Sequence, residues 1–173
     1  MPDSPVINLE PLGRSDYEVF FERLDWSDSD LLYAWATDPE LTQYMPSMPR
    51  PLSWQDHLEW FMCARNDKDR IDYRIMVVQN VIVRRAGRVH ASGLGSGDPE
   101  VGIMLAARDL WGKGIAARAL LGLIKELHRR KIIRCHALIH PNNERSLALF
   151  RRCGFDDSGE KGRKGQLLYR REI

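Results

Sequence analysis

A pair of glycines flanking a lysine, at positions 112–114, stands immediately before an apolar-periodic segment that predicts a helix over residues 115–130. The first turn of a helix has backbone N–H groups without internal partners, and the helix dipole adds positive potential, so this terminus suits an anion. Gly112 and Gly114 would let a phosphate approach those amides, and Lys113 would add charge. The spacing fits neither the dinucleotide-binding fingerprint nor a phosphate loop that ends in Gly-Lys-Ser or Gly-Lys-Thr. The segment therefore indicates either an anion close to the backbone or a purely structural turn.

Charge is unevenly distributed between the two halves of the chain. The net charge is +2 overall, but it is −6 over residues 1–99 and +8 over residues 100–173. The second half should therefore attract an anion. Its basic residues are scattered, without a dense run or interleaved aromatics, which disfavours nucleic acid and favours a small phosphorylated ligand. The acidic first half fits a cationic amine as a second ligand, or a solvated acidic surface.

Length and composition predict one domain over residues 1–173. The chain starts without a basic segment followed by an apolar run, and it has no apolar stretch long enough to span a bilayer, so we expect a cytoplasmic protein with no membrane partner. The spacing of the three cysteines fits neither a disulfide framework nor a metal site. We expect no metal, and reduced thiols buried as small apolar side chains at Cys63, Cys135 and Cys153.

The first half of the chain predicts a strand followed by two helices. Residues 17–24 have strand composition, and residues 27–41 follow as a short helix that stops near Pro39. A second, amphipathic helix begins after Ser53, the expected N-cap. Its apolar positions at helical spacing are Trp54, Leu58 and Phe61.

The hydrophobic period then changes to that of strands. Three strands are predicted over residues 73–83, 88–94 and 100–105, separated by the turn signals RRAG and SGDP. Such short links imply an antiparallel meander. Beyond the helix over residues 115–130, the chain predicts a strand, a further helix that ends at Gly154, and a last strand.

Two segments of the chain resemble the GNAT superfamily of acyl-CoA-dependent N-acyltransferases: EVGIMLAARDLWGKGIAARAL, followed by HPNNERSLALFRRCGF. The resemblance covers residues 17–169, and its specific part is residues 100–155. It implies a mixed α+β fold, with a mostly antiparallel twisted sheet of about six to seven strands flanked by about four helices. It also implies an N-terminal extension at 1–15, an acceptor-side half at 16–99 and an acetyl-CoA-binding half at 100–173.

In that superfamily the glycine loop binds the pyrophosphate of coenzyme A, so the resemblance implies acetyl-CoA as co-substrate. Asn143 matches the asparagine that holds the cofactor arm near the thiol, and Asp109 stands where Gln or Arg is frequent, which implies a slightly reshaped phosphate site. The pantetheine is expected beside Ile103, Met104 and Leu105. The implied phosphate cradle is Trp111, Gly112, Lys113, Gly114, Ile115 and Ala116.

The implied reaction is attack of a neutral amine on the acetyl thioester, with a backbone amide of the strand at 103–105 polarising the carbonyl oxygen. Glu100, at the head of that strand, is the first candidate base for the amine, and His140 is the second. An ordinary strand-edge carboxylate is the alternative for Glu100. Phe150 stands where many members have a tyrosine as general acid, so Ser146 or water would protonate the departing thiolate. The missing tyrosine keeps open a non-catalytic module that binds or senses coenzyme A.

The acceptor should be selected by the first half of the chain. LLYAWATDPELTQYM followed by SWQDHLEWF resembles acetyltransferases of nucleotide-linked amino sugars, and also ribosomal-protein N-terminal and aminoglycoside acetyltransferases. The implied acceptor is the primary amine of a small molecule or a peptide N-terminus. His57 and Trp60 would bind it, facing Tyr44 and Met45 from the preceding loop, unless the aromatic residues of these helices are core. A homodimer is compatible with the sequence.

Overall fold

A computed structural model describes residues 6–9, 16–45 and 51–173. The strands of this part of the chain are β1 (Ile7–Leu9), β2 (Glu18–Arg23), β3 (Arg70–Gln79), β4 (Ile82–Ser92), β5 (Glu100–Leu105), β6 (Arg134–Ile139), β7 (Asp156–Lys161) and β8 (Leu167–Glu172). Its α-helices are α1 (Ser29–Thr37), α2 (Pro39–Thr42), α3 (Trp54–Asn66), α4 (Ile115–Arg129) and α5 (Glu144–Arg152). The strands form one sheet in the order β1-β2-β3-β4-β5-β6-β8-β7.

The expected mixed α/β class and mostly antiparallel sheet are confirmed, and the described residues contain eight strands and five α-helices. The two strands that were not expected, β1 and β7, both give weak sequence signals. β1 has only three residues and lies in the segment expected as an N-terminal extension. β7, with the sequence DDSGEK, lacks apolar alternation, and its pairing with β8 is interrupted by a register shift.

Strands β5 and β6 form a parallel pair and then separate. Their ladder contains one residue pair, Glu100 opposite His136, whereas the other neighbouring strands pair antiparallel. A parallel pair requires a long crossover, which α4 supplies. Among the described residues, no strand pairs with the edge of β5 that faces β6 beyond Glu100. A gap therefore opens in the middle of the sheet.

Helix α4 covers one face of the sheet and forms the main core with it. Phe21 of β2 and Tyr73 of β3 stack there with their ring centroids 5.3 Å apart. Gly122 lets β1 approach the helix, because a Cβ at this position would lie 2.3 Å from a methyl carbon of Leu9. Each fully buried large apolar side chain contributes about 1.5–3 kcal/mol to folding. The fully buried apolar residues of α4 are Ile115, Ala119, Leu120, Leu123 and Leu127.

The opposite face of the sheet carries charged residues where α1 and α3 cover it. The guanidinium of Arg74 on β3 bonds three carboxylates, at 2.7 Å from Glu22, 2.8 Å from Asp25 and 2.7 Å from Asp28. Hydrogen bonds from Ser27 and from Arg74 lower the pKa of Asp25 to about 2. This network ties the turn before α1 to the sheet.

Capping residues set the ends of the helices over this face. Ser53 is the N-cap of α3 as expected, and its Oγ accepts a hydrogen bond from the N–H of Asp56 at 3.1 Å. The single helix expected over residues 27–41 is divided, because α1 ends at Thr37 and Pro39 begins α2. Proline has no N–H to continue α1 and suits the first position of a new helix.

The predicted turn at RRAG is wrong. The chain reverses at Asn80 and Val81, whose φ angles of 48° and 63° match the left-handed geometry of a two-residue hairpin link. The RRAG segment lies inside β4, where the register shifts and leaves a bulge at Ala86. The position after the bulge, Gly87, requires glycine, because a Cβ there would lie 2.2 Å from the carbonyl oxygen of Met104. The glycine therefore serves close strand approach, not a turn.

The expected burial of the cysteines holds for two of the three. Cys135 and Cys153 are buried, and burial raises the pKa of the Cys135 thiol to about 12. Cys63 is exposed on α3, because it lies on the outer face of that helix. Within the residues described, no helix is long and apolar enough to cross a membrane, and no group of three or more His, Cys, Asp or Glu side chains could hold a metal ion.

Candidate active site

Two cavities adjoin at the gap between β5 and β6. The loop-side cavity, of ≈ 580 Å³, lies between β5, the loop at residues 110–114 and α5. The sheet-side cavity, of ≈ 450 Å³, lies between the charged sheet face and helices α1 and α3. A group bound in one cavity can reach a group bound in the other at their junction. The residues that line both cavities are Tyr44, Met45, Ile103, Met104, Asn143 and Ser146.

The loop-side cavity brings together nine of the ten residues predicted for the cofactor. The tenth, Lys113, is exposed beside the cavity without lining it. The nine come from β5, from the loop before α4, from the first turn of α4 and from the N-cap of α5. They are Ile103, Met104, Leu105, Trp111, Gly112, Gly114, Ile115, Ala116 and Asn143.

Backbone conformation explains the two loop glycines. Gly112 and Gly114 have backbone φ angles of 75° and 77°, which residues other than glycine rarely adopt. A Cβ at either position would meet no atom of the described residues within 4 Å. The space beside the loop is therefore open to a ligand. In the first turn of α4, the N–H groups of residues 115–117 have no acceptor within the helix, which suits them to an anion.

Trp111 holds the loop against β5. Its Nε1 donates a hydrogen bond to the carbonyl oxygen of Leu105 at 2.8 Å. Arg108 ties the loop to α2 through ion pairs with Asp38 at 2.6 Å and Glu40 at 2.7 Å. Asp109, which departs from the superfamily pattern, forms an ion pair with Arg84. The loop is thus fixed by its side chains, while its backbone faces the cavity.

Asn143 and Ser146 begin α5 at the junction of the cavities. Asn143 is the N-cap, and its Oδ1 accepts a hydrogen bond from the N–H of Ser146 at 3.2 Å. This bond gives Asn143 a structural role in addition to its place beside both cavities. The Ser146 side chain is half-buried and lines both cavities.

Both candidate bases line the sheet-side cavity. The Oε1 of Glu100 accepts a hydrogen bond from Arg163 at 2.7 Å, and the Glu100 side chain is 23% exposed. The Nδ1 of His140 accepts a hydrogen bond from the N–H of Asn142 at 3.2 Å. Phe150 also lines this cavity and is buried, packed edge-to-face on a second phenylalanine, so its position offers no hydroxyl.

The four predicted acceptor residues also line the sheet-side cavity. Tyr44 packs on His140, with 5.3 Å between their ring centroids, and Met45 adjoins it. His57 is 1% exposed, and its Nε2 lies 2.9 Å from the carbonyl oxygen of Ser29. Burial holds the pKa of His57 below its usual value. Trp60 is 37% exposed and therefore presents more surface to a ligand than His57 does.

The floor of this cavity contains a charged cluster that the sequence analysis did not predict. The guanidiniums of Arg70 and Arg88 both bond the carboxylate of Asp72, and His90 lies beside them. Burial opposes ionisation of Asp72, but Arg88 and its other cationic neighbours hold its pKa below the usual value. Burial and the charge of Arg88 hold the pKa of His90 well below its usual value, so this imidazole is neutral near pH 7. The ring of His90 occupies the space left by Gly102 on β5.

The sequence contained a signal for this cluster. Positions 70, 72 and 74 of β3, and positions 88 and 90 of β4, carry charged or polar residues at a period of two between buried apolar ones. In central strands, such alternation indicates that one whole face is polar. Because these strands are covered on both faces, polar residues at those positions indicate a site.

Residues 18–156 match the family described as acetyltransferase (GNAT) domain. An uncharacterized protein of Methanocaldococcus jannaschii is 31% identical over 164 residues, which are 95% of this chain and 33% of that protein. This chain therefore spans about a third of the length of that relative.

Solved structures share the fold. The crystal structure of a domain from Methanocaldococcus jannaschii has a TM-score of 0.85 at 30% identity, over 91% of this chain and 99% of that one. Spermidine N-acetyltransferase from Vibrio cholerae, in complex with CoA and spermine, has a TM-score of 0.75 at 15% identity, over 90% of this chain and 94% of that one.

Proposed function

This chain belongs to the acetyltransferase (GNAT) domain family, and we propose that it transfers an acetyl group from acetyl-CoA to a primary amine of a small molecule or a protein N-terminus. The observation that carries this proposal is the junction where the two cavities share Ile103, Met104, Asn143 and Ser146. An acetyl donor held in the loop-side cavity and an amine held in the sheet-side cavity would meet there. Holding two reactants in contact replaces a bimolecular encounter with a far faster intramolecular step.

The loop-side cavity has the chemistry that coenzyme A requires. Its open glycine loop and the first-turn N–H groups of α4 suit the pyrophosphate. Its apolar wall on β5 suits the pantetheine, beside the unpaired strand edge. The CoA complex of spermidine N-acetyltransferase, which has the same fold, supports this assignment. When bound, acetyl-CoA supplies a thioester whose carbonyl carbon forms the new bond to nitrogen as the bond to sulfur breaks.

Residues at the junction and beside it in the sheet-side cavity would assist that exchange. A backbone N–H of β5 at residues 103–105 would donate a hydrogen bond to the carbonyl oxygen as negative charge develops on it. Glu100 would take the proton that the amine must lose, with His140 as the second candidate. Ser146 or a water molecule would protonate the departing thiolate, because Phe150 has no hydroxyl.

The acceptor side supports a finer assignment, an amino group on a nucleotide-linked sugar. Trp60 presents a partly exposed ring on which a planar or sugar group could stack, and the cavity volume suits a small molecule. The relative from Methanocaldococcus jannaschii is about three times as long as the matched segment. The activity of the protein as a whole is therefore part of this proposal.

A non-catalytic module that binds or senses coenzyme A is the second candidate. The observation that favours it is Phe150 in the usual tyrosine position, together with the ion pair that engages Glu100. Such a module would bind acetyl-CoA with the same loop and leave the thioester intact.

The deciding experiment measures release of free coenzyme A thiol from acetyl-CoA with a panel of amines. The panel contains a nucleotide-linked amino sugar, a peptide with a free N-terminus, a polyamine and an aminoglycoside. Cys63 is exposed and would react with thiol reagents, so the assay uses a Cys63→Ser variant. We expect amine-dependent release well above the protein-free rate. Binding of acetyl-CoA without release for any amine would instead establish the binding module.

A further inference from the structure

We propose that the acceptor carries, besides its amine, a negatively charged carboxylate or phosphate group, and that Arg70 and Arg88 bind this group in the floor of the sheet-side cavity. The inference rests on the proposed function, because it assumes that the sheet-side cavity holds the acceptor. Both arginines line that cavity.

The cluster has one positive charge more than its carboxylate neutralises. The Nε of Arg70 lies 2.5 Å from Oδ2 of Asp72, and the Nε of Arg88 lies 2.7 Å from Oδ1 of the same carboxylate. Two guanidiniums therefore share one carboxylate. The side chains of Arg70, Arg88 and Asp72 are only 16%, 15% and 8% exposed, so bulk water compensates the remaining charge poorly.

The two arginines line the cavity, and Asp72, whose carboxylate they share, is not among the residues that line it. Each guanidinium has five N–H donors, more than one shared carboxylate can accept. The donors that remain can bind an anion by charge-assisted hydrogen bonds, for which a guanidinium is well suited.

The other ionisable groups around this cavity do not supply the missing negative charge. Glu100 is engaged by Arg163, and Asp56 is exposed at the rim, where it accepts a hydrogen bond from Ser53. His57 and His90 have lowered pKa values and are neutral near pH 7. The excess positive charge therefore remains with the arginine pair.

Trp60 fixes the orientation of Arg88. The guanidinium carbon of Arg88 lies 4.8 Å from the centre of the Trp60 ring. This contact holds one face of the guanidinium against the indole and leaves its edge to make hydrogen bonds. The aromatic wall of the cavity and its cationic floor thus form a preorganised site for a planar or tetrahedral anion.

This site distinguishes the chain from acetyltransferases of polycations. Spermidine N-acetyltransferase, which has the same fold, was crystallised with spermine, a molecule that carries several positive charges. A polyamine in the sheet-side cavity of this chain would place positive charge beside two buried arginines, and like charges at short range repel. An amine with an attached anion avoids this repulsion.

The test compares binding of matched acceptors by calorimetry in the presence of coenzyme A, so that it does not depend on turnover. Glucosamine 6-phosphate is compared with glucosamine, and a dipeptide with its C-terminal amide, which separates phosphate from carboxylate as the anion. We expect the anionic member of at least one pair to bind about tenfold or more tightly. Spermidine should bind most weakly.

Substitutions in the cluster sharpen the test. Arg88→Gln leaves the neutral pair Arg70–Asp72, and Arg70→Gln leaves the neutral pair Arg88–Asp72, so neither strands a buried charge. Each should remove the preference for the anionic member of a pair and leave affinity for acetyl-CoA unchanged. Asp72→Asn should increase the preference, and Arg170→Gln, which breaks the exposed pair with Glu160, is the matched control.

The outcomes separate this inference from the proposed function. If the wild-type protein binds the members of each pair equally, with and without the anion, or binds spermidine best, the anion site is wrong even where acetyl transfer is observed. If the preference exists but survives both arginine substitutions, the arginines are not its cause. If the protein prefers the anionic acceptors but releases no coenzyme A, the anion site is supported and only the proposed acetyl transfer is wrong.

Discussion

The guanidinium carbon of Arg145 lies 4.3 Å from the centre of the Trp111 ring. This cation–π contact joins the first turn of α5 to the loop before α4, two segments that are more than thirty residues apart in the chain. Such contacts contribute about 0.5–2 kcal/mol. Trp111 is also hydrogen-bonded to the carbonyl oxygen of Leu105, so it connects β5, the loop and α5. These three elements are the walls of the loop-side cavity.

Gly114→Glu should weaken binding of acetyl-CoA by about tenfold or more, because a side chain and a negative charge would enter the space beside the phosphate cradle. Gly159→Glu is the matched control: Gly159 on β7 has φ 74° and equally open surroundings, but it does not line either cavity. Calorimetry and circular dichroism on both variants separate ligand binding from backbone strain. Equal affinities in two folded variants would remove the loop from the cofactor site.

Glu100→Gln should lower kcat by about a hundredfold at neutral pH, with acetyl-CoA affinity nearly unchanged, if Glu100 takes the amine proton. Raising the pH should partly restore the rate, since more of the amine is then neutral. Glu160→Gln, which breaks an exposed ion pair with Arg170, is the control. Full activity of the Glu100 variant across the pH range would transfer the role to His140 or to water, and His140→Gln would then be decisive.

Ser146→Ala should reduce kcat by about tenfold if its hydroxyl protonates the departing thiolate. Phe150 lines the sheet-side cavity beside the junction. In the Ser146→Ala/Phe150→Tyr double variant, the new hydroxyl at position 150 should therefore restore part of the rate. Steady-state kinetics of the wild type, both single variants and the double variant measure this coupling. No loss in Ser146→Ala would leave water as the proton donor.

His57→Ala and Trp60→Ala should have different effects because the two side chains differ in exposure. Removal of the buried His57 leaves a cavity and unpairs Ser29, so it should cost about 2 kcal/mol of folding free energy. Trp60→Ala should raise the KM for the amine, with little change in the KM for acetyl-CoA. Thermal melts and both Michaelis constants, measured on the same preparations, test this. A large loss of stability in Trp60→Ala, with both constants altered, would make Trp60 a core residue.

Stability should fall as the pH decreases below about 6.5, the usual pKa of histidine. The pKa of His90 is well below that value in the folded protein, so in this range the unfolded state binds more protons and gains stability from them. His57 acts in the same direction. His90→Gln should flatten the dependence of the melting temperature on pH between 7 and 5, whereas His128→Gln, at an exposed position on α4, should not. Parallel curves for wild type and His90→Gln would contradict the buried neutral imidazole.

The extent of prediction from sequence differs between elements. The caps and periods of α3, α4 and α5 reflect local hydrogen bonds and side-chain spacing, so the sequence located these helices closely. The hairpin of β3 and β4 was misplaced because Gly87, which looked like a turn residue, is required by the close approach of β5. That requirement comes from a strand that is remote in sequence.

The candidate site shows the same division. The glycine loop could be identified from sequence, because a positive φ before a helix is a local demand of the backbone and leaves a recognisable pattern. The residues of β3 and β4 that form the cavity floor could not be combined into a site in this way. Arg70 and Arg88 are eighteen positions apart, and only the pairing register places them against the same carboxylate.

The sequence by itself determined the family pattern, the positions of the main helices and the loop beside the loop-side cavity, because each depends on interactions within a few neighbouring residues. Tertiary structure decided the separation of β5 from β6, the junction of the two cavities and the shared carboxylate beneath Arg70 and Arg88. These features arise from contacts between strands and helices that are distant in the chain. Burial then fixes their electrostatic character, since a guanidinium removed from water must find its counter-charge in the protein or in a ligand.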